Sequence, residues 1–142
     1  MYRVVLDPGV LIAALLSSKG APAELLRRWL EGDYELIVSP KLLAELERVL
    51  PRPKFRKYFS EEEAREYVGL FRRLATLLLD PPEERGLTPD PGDDYLVSLA
   101  RAAQVHFLVS GDPHLTELSD PQPTVLTPRA FLKKLSGQGV SY

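Results

Sequence analysis

Four acidic residues, Asp7, Glu45, Asp93 and Asp112, stand where an alternating α/β chain would gather them. Asp7 follows the apolar, valine-rich run 2–6 and precedes Pro8-Gly9. Asp112 follows a second apolar run, 106–109, and the turn Ser110-Gly111. Asp93 and Asp94 open a helical pattern that leads into that second run. Glu45 lies three residues after Leu42 and one before Leu46, so it borders the apolar face of its helix. Two carboxylates about 4 Å apart repel by roughly 4 kcal/mol at an intermediate effective dielectric. A cation removes that penalty, and oxygen ligands select hard ions such as Mg²⁺ or Mn²⁺. Such an ion orients and activates a water, and it stabilises charge on the attacking and leaving oxygens of a phosphodiester. Each acid also has a simpler role. Asp93 and Asp112 suit helix N-caps, Glu45 suits a solvated helix face, and Asp7 suits a turn.

The elements that would position these acids are short. Residues 2–6, 35–38, 106–109 and 124–126 read as strands. Residues 10–16, 21–31, 41–50, 60–79, 93–103 and 128–135 read as helices. Ser39-Pro40 is a strong helix start, and Ser60 with Glu63 has the spacing of a capping box. Residues 80–90 form a proline-rich loop, and 110–113 form a turn. The alternation predicts an α/β fold with three layers, α/β/α, around a mainly parallel central sheet. Ligands of such sheets sit at the carboxyl ends of the strands, where Asp7 and Asp112 both project. The expected organisation is one domain over 1–135 with a flexible tail over 136–142.

Composition narrows the chemistry. At 142 residues and 44% hydrophobic, the chain suits a single core. It has no cysteine, which excludes disulfides, thiolate metal sites and cysteine nucleophiles. Only His106 and His114 are histidines, too few for a multi-histidine zinc site. No run approaches the roughly 20 apolar residues of a membrane span, so no membrane association and a cytoplasmic location are expected. The absence of Asn and the 13 prolines point to a thermophilic source. The net charge of −2 gives no global sign of nucleic-acid binding.

Four stretches together resemble the PIN-domain family, in particular the group of toxin components of toxin–antitoxin systems. These are Val4-Val5-Leu6-Asp7-Pro8-Gly9-Val10, Ser39-Pro40-Lys41-Leu42-Leu43-Ala44-Glu45-Leu46, Asp90-Pro91-Gly92-Asp93-Asp94 through Ala100, and Phe107-Leu108-Val109-Ser110-Gly111-Asp112. They span nearly the whole chain, in the family's order and spacing. The resemblance implies that Asp7, Glu45, Asp93 and Asp112 are the catalytic, metal-binding acids for Mg²⁺ or Mn²⁺. It implies a supporting hydroxyl at Ser110, cleavage of RNA as an endoribonuclease, a homodimer, and an antitoxin protein as partner. Asp94 stands where the family often has Asn. It reads either as a supporting fifth acid or as a solvated residue at a helix start.

The chain departs from the family pattern at one place. The family usually carries Asn two residues after the first Asp, with Thr or Ser between, and here those positions are Gly9 and Pro8. This keeps open a second function, a catalytically weak or inactive PIN-fold protein that binds RNA or protein as a regulator. Retention of four mutually repelling acids argues for the enzyme. Other readings of the Asp7 strand fail on residues. A dehalogenase-type phosphatase needs Asp at position 9, and a dinucleotide site needs a glycine-rich turn after the first strand.

RNA needs local cations to meet its phosphates. The densest run is Arg52-Pro53-Lys54-Phe55-Arg56-Lys57-Tyr58, so Arg52, Lys54, Arg56 and Lys57 are the candidate RNA contacts. Its aromatics would stack unpaired bases, or Phe55 would pack in the core. Trp29 reads as core or dimer interface, and Arg27-Arg28 and Arg72-Arg73 read as helix surface.

Overall fold

A computed structural model describes all residues of the chain except 83, 90, 119–122 and 139–142. Strand β1 (Arg3–Leu6) is followed by helices α1 (Pro8–Leu16) and α2 (Ala21–Leu30), then β2 (Glu35–Val38) and α3 (Pro40–Val49). A 3₁₀ turn (Pro53–Phe55) leads to α4 (Glu61–Leu74) and β3 (Thr76–Leu77). A second 3₁₀ turn (Pro91–Asp93) opens α5 (Asp94–Ala102), then come β4 (Phe107–Val109), α6 (Pro113–Thr116), β5 (Val125–Leu126) and α7 (Pro128–Gln138).

The five strands form one sheet in the order β3-β2-β1-β4-β5, and every pairing is parallel. Helices cover both faces, giving the three-layer α/β/α architecture. Because both faces are covered, the middle of the sheet is apolar: Val4, Val5, Ile37, Val38, Leu108 and Val109 have no exposed surface. β1 is central, with β2 on one side and β4 on the other. The chain therefore changes direction at β1, and the crevice between the carboxyl ends of β1 and β4 is the switch point of the sheet.

Local signals set most helix starts. Ser39 accepts a bond from Leu42 N at 3.3 Å and caps α3. Ser60 and Glu63 form both bonds of a capping box at the start of α4, each 3.0 Å. Trp29 stacks on Phe71 with ring centroids 5.3 Å apart, which makes it a core residue. Arg27, Arg28 and Arg72 sit in ion pairs with Glu24, Asp33 and Glu47.

Several elements differ from the sequence reading, among them the one-turn helix α6, which follows the turn expected over 110–113. The helix expected over 60–79 ends at Leu74, and Thr76–Leu77 turns into an edge strand. Ala75 is extended (φ −80°, ψ 162°), and Leu78 N donates to Val38 O at 2.9 Å. Pairing with β2 and a bond from the Thr76 hydroxyl to Glu35 (2.9 Å) outweigh the helix propensity of the leucine run. The last helix also continues to Gln138, so residues 136–138 of the expected tail are helical and 139–142 lie outside the described residues. Among the described residues no single helix is long and apolar enough to cross a membrane.

Candidate active site

Asp7 is placed by β1 and held by its neighbours. Its amide donates to Val109 O at 2.9 Å, extending the β1–β4 pairing by one residue. Its carboxylate accepts from Gly9 N through Oδ1 and from the Ser110 hydroxyl through Oδ2, both at 2.7 Å. Ser110 is fully buried, and its Oγ also accepts from Asp112 N at 3.0 Å. One hydroxyl thus ties the acid after β1 to the acid after β4. Asp112 in turn caps α6, accepting from His114 N at 2.9 Å.

The other two acids come from helices. Glu45 is half-buried on α3, with Oε1 3.5 Å from the hydroxyl of Tyr95. Asp93 occupies the N-cap position of α5, but its side chain makes no capping bond. These four acids line a single cleft of about 500 Å³ at the carboxyl edge of the sheet, together with Gly9 and Gly111.

The acids share the cleft without closing into a cage. Among the described residues, no three His, Cys, Asp or Glu side chains are grouped closely enough to hold a metal ion. The tight packing of four carboxylates expected from the sequence is therefore absent. Mutual repulsion disfavours that packing, while Asp7 and Asp112 are each directed by hydrogen bonds, from Ser110 and from His114 N. The donor chemistry still suits a hard divalent ion. Mg²⁺ keeps several waters and is commonly bound through one or two carboxylates, not by an all-protein shell.

Two residues near the cleft acids, neither of them in the cleft lining, have no signal in the sequence. Tyr95 is 7% exposed. Burial, then the charges of Glu45, Asp7, Asp80 and Asp93, push its phenol far above the usual tyrosine range, so it stays protonated. Asp80 accepts from Lys41 N at 2.9 Å in the first turn of α3, and its Oδ1 is shielded without a hydrogen bond. Only the tertiary course of the chain through β3 brings Asp80 there.

Asp94 takes neither of its expected roles. It is 3% exposed, with Oδ1 accepting from Thr88 N (2.8 Å) and the Thr88 hydroxyl (2.9 Å) and Oδ2 accepting from Gly86 N (3.1 Å). It is absent from the cleft lining and anchors the loop that precedes α5. A carboxylate satisfied by three donors can be buried, whereas a solvated one at a helix start needs none.

The basic run is also divided by the structure. Phe55 and Phe59 are buried and stacked, centroids 5.6 Å apart, so Phe55 is core. Arg56 is half-buried, donates to Leu50 O at 2.6 Å at the end of α3 and lies over the Phe59 ring. Arg52, Lys54 and Lys57 are exposed, and so is Tyr58, with Lys54 over Phe55 and Lys57 over Tyr58.

The chain and its fold have relatives. An uncharacterized protein, MJ1680 of Methanocaldococcus jannaschii, is 24% identical over 141 residues, covering 93% of this chain and 90% of that protein. Among solved structures, PAE2754 from Pyrobaculum aerophilum is similar with a TM-score of 0.66 at 17% identity, covering 96% of this chain and 91% of that one. VapBC2 from Rickettsia felis, solved bound to a DNA fragment from its promoter, is similar with a TM-score of 0.62 at 15% identity, covering 88% of this chain and 98% of that one. Residues 3–114, the span that contains all four cleft acids, match the PIN domain, and the chain belongs to the PIN-domain family.

Proposed function

We propose that this protein is a metal-dependent endoribonuclease that hydrolyses RNA phosphodiester bonds in the cleft lined by Asp7, Glu45, Asp93 and Asp112. The observation that carries this reading is the shared cleft at the β1–β4 switch point, to which four separate elements each bring one acid. PIN domains are generally nucleases that work with divalent ions. Mg²⁺ or Mn²⁺, held by these carboxylates and by water, would activate the attacking water and offset the phosphate's charge. The chain's own contribution is placement. Ser110 fixes the Asp7 carboxylate, and Asp112 is held at the head of α6. The bare backbone at Gly9 and Gly111 leaves the cleft floor open to a nucleotide. The exposed cations Arg52, Lys54 and Lys57 would meet phosphates farther along the strand.

The likeness to VapBC2 supports an antitoxin protein as partner, and the working form in this reading is a homodimer. A second reading has its own support at Gly9. The cleft has no side chain there, and an added Cβ would lie 3.3 Å from Asp7 Oδ1. A PIN-fold regulator that binds RNA or protein without cutting would keep the same cleft.

Cleavage of a mixed pool of short RNAs in Mn²⁺, Mg²⁺ or EDTA separates the two. Metal-dependent cleavage by the native protein, lost in both Asp7→Ala and Asp112→Ala, is the expected result. Cleavage that survives both substitutions would place the activity elsewhere. No cleavage with any metal would favour the regulator.

A further inference from the structure

We propose that Tyr95 is a positioning residue that sets the orientation of the Glu45 carboxylate in the cleft through its phenol hydroxyl. The inference rests on the metal-dependent reading of that cleft. Tyr95 lies in the first turn of α5, and Glu45 lies on α3, 50 positions earlier in sequence. Their side chains meet with the hydroxyl 3.5 Å from Oε1. That distance is long for a hydrogen bond, as such contacts often are before a site closes on its ligand.

The chemistry of the surroundings explains why a tyrosine suits this place. Its hydroxyl faces Glu45, one of the cleft carboxylates. A lysine or arginine at the same point would compete with a cation for these carboxylates. A protonated phenol donates one hydrogen bond and leaves the charge of the acid intact. The ring is 7% exposed and packed within the core, so the hydroxyl is delivered from a rigid platform. Outer partners that orient metal-binding carboxylates in this way commonly tune ion affinity.

The test uses Tyr95→Phe, which keeps the ring and removes only the oxygen. Its melting temperature in EDTA should match that of the native protein. Titration with Mn²⁺ alone should show binding weakened roughly tenfold. A crystal structure of the variant should show Glu45 in a changed rotamer. In a Glu45→Gln background, Tyr95→Phe should cause no further loss of Mn²⁺ affinity, because the hydroxyl acts through Glu45.

Native-like Mn²⁺ affinity with Glu45 unmoved would overturn the proposal and leave the nuclease reading intact. An equal loss in the Glu45→Gln background would also overturn it, because the hydroxyl would then act through another group. If the native protein bound no Mn²⁺ but Glu45 moved in Tyr95→Phe, the positioning role would stand and the metal reading would fall. No Mn²⁺ binding with Glu45 unmoved would remove both.

Discussion

The Ser110 hydroxyl donates to Asp7 Oδ2 at 2.7 Å, although the two residues are 103 positions apart. The same oxygen accepts from Asp112 N at 3.0 Å, so the ends of β1 and β4 are locked to each other at the cleft. Ser110→Ala should therefore do two things. Loss of both bonds at a fully buried site should cost about 1–3 kcal/mol of stability, read from urea unfolding. Cleavage should fall further than that stability loss explains, because Asp7 loses the partner that orients it. Unchanged cleavage by the folded variant would show that Asp7 needs no such partner.

An ion bound between repelling carboxylates binds the folded state alone. Millimolar Mn²⁺ should therefore raise the melting temperature, by a shift equivalent to about 2.7 kcal/mol if the ion stands at 100 times its Kd. EDTA should reverse the shift, and Asp7→Asn should shrink it. Identical melting curves with and without Mn²⁺ would count against the metal.

Asp94 holds the preceding loop through Gly86 and Thr88. Asp94→Ala strands these donors and should cost on the order of 3 kcal/mol. Hydrogen exchange is the sharper measurement. The Gly86 and Thr88 amides should lose protection well before the strands of the sheet do. Loss of protection spread evenly over the whole chain would mean that the loop is not a separate unit.

Three buried tyrosines make the fold sensitive to alkali. Tyr34, Tyr67 and Tyr95 are 2%, 7% and 7% exposed, and burial is the main cause that raises each phenol above its ordinary range. The Tyr34 and Tyr67 hydroxyls donate to Leu25 O and Leu11 O at 2.7 and 2.6 Å. A raised folded-state pKa means that the stability contribution is complete below the unfolded value of about 10 and is lost as pH rises above it. Each tyrosine should then remove up to about 1.4 kcal/mol per pH unit. Melting temperatures measured from pH 8 to 11 should be level at first and fall steeply beyond about pH 10. Tyr67→Phe should soften that fall.

The basic run should split into two kinds of residue. The double substitution Lys54→Ala and Lys57→Ala should weaken binding of single-stranded RNA. It should also flatten the logarithmic salt dependence, by about 0.7 in slope for each phosphate that is no longer neutralised. Arg56→Ala should instead lower the melting temperature, because its guanidinium closes the end of α3 and lies over Phe59. A larger effect of Arg56 on RNA affinity than on melting would place it on the binding surface.

Local residue patterns were enough to foretell the alternating architecture and the edge at which the four acids stand. An apolar run ending in Asp-Pro-Gly or Ser-Gly-Asp-Pro can be read from its own residues, because strand ends, caps and turns are local events. The three caps at Ser39, Ser60 and Asp112 needed no knowledge of the rest of the chain. Features that depend on distant partners were settled by the packing of one element against another. The residues of β3 became a strand because β2 offered an unpaired edge. Asp94 was drawn inside because Gly86 and Thr88 supplied donors. Arg56 left the surface for Leu50 O and Phe59. Tyr95 met Glu45 only once α3 and α5 stood beside the same cleft. Sequence periodicity shows which face of an element is apolar, but not which polar atom another element will bring against it.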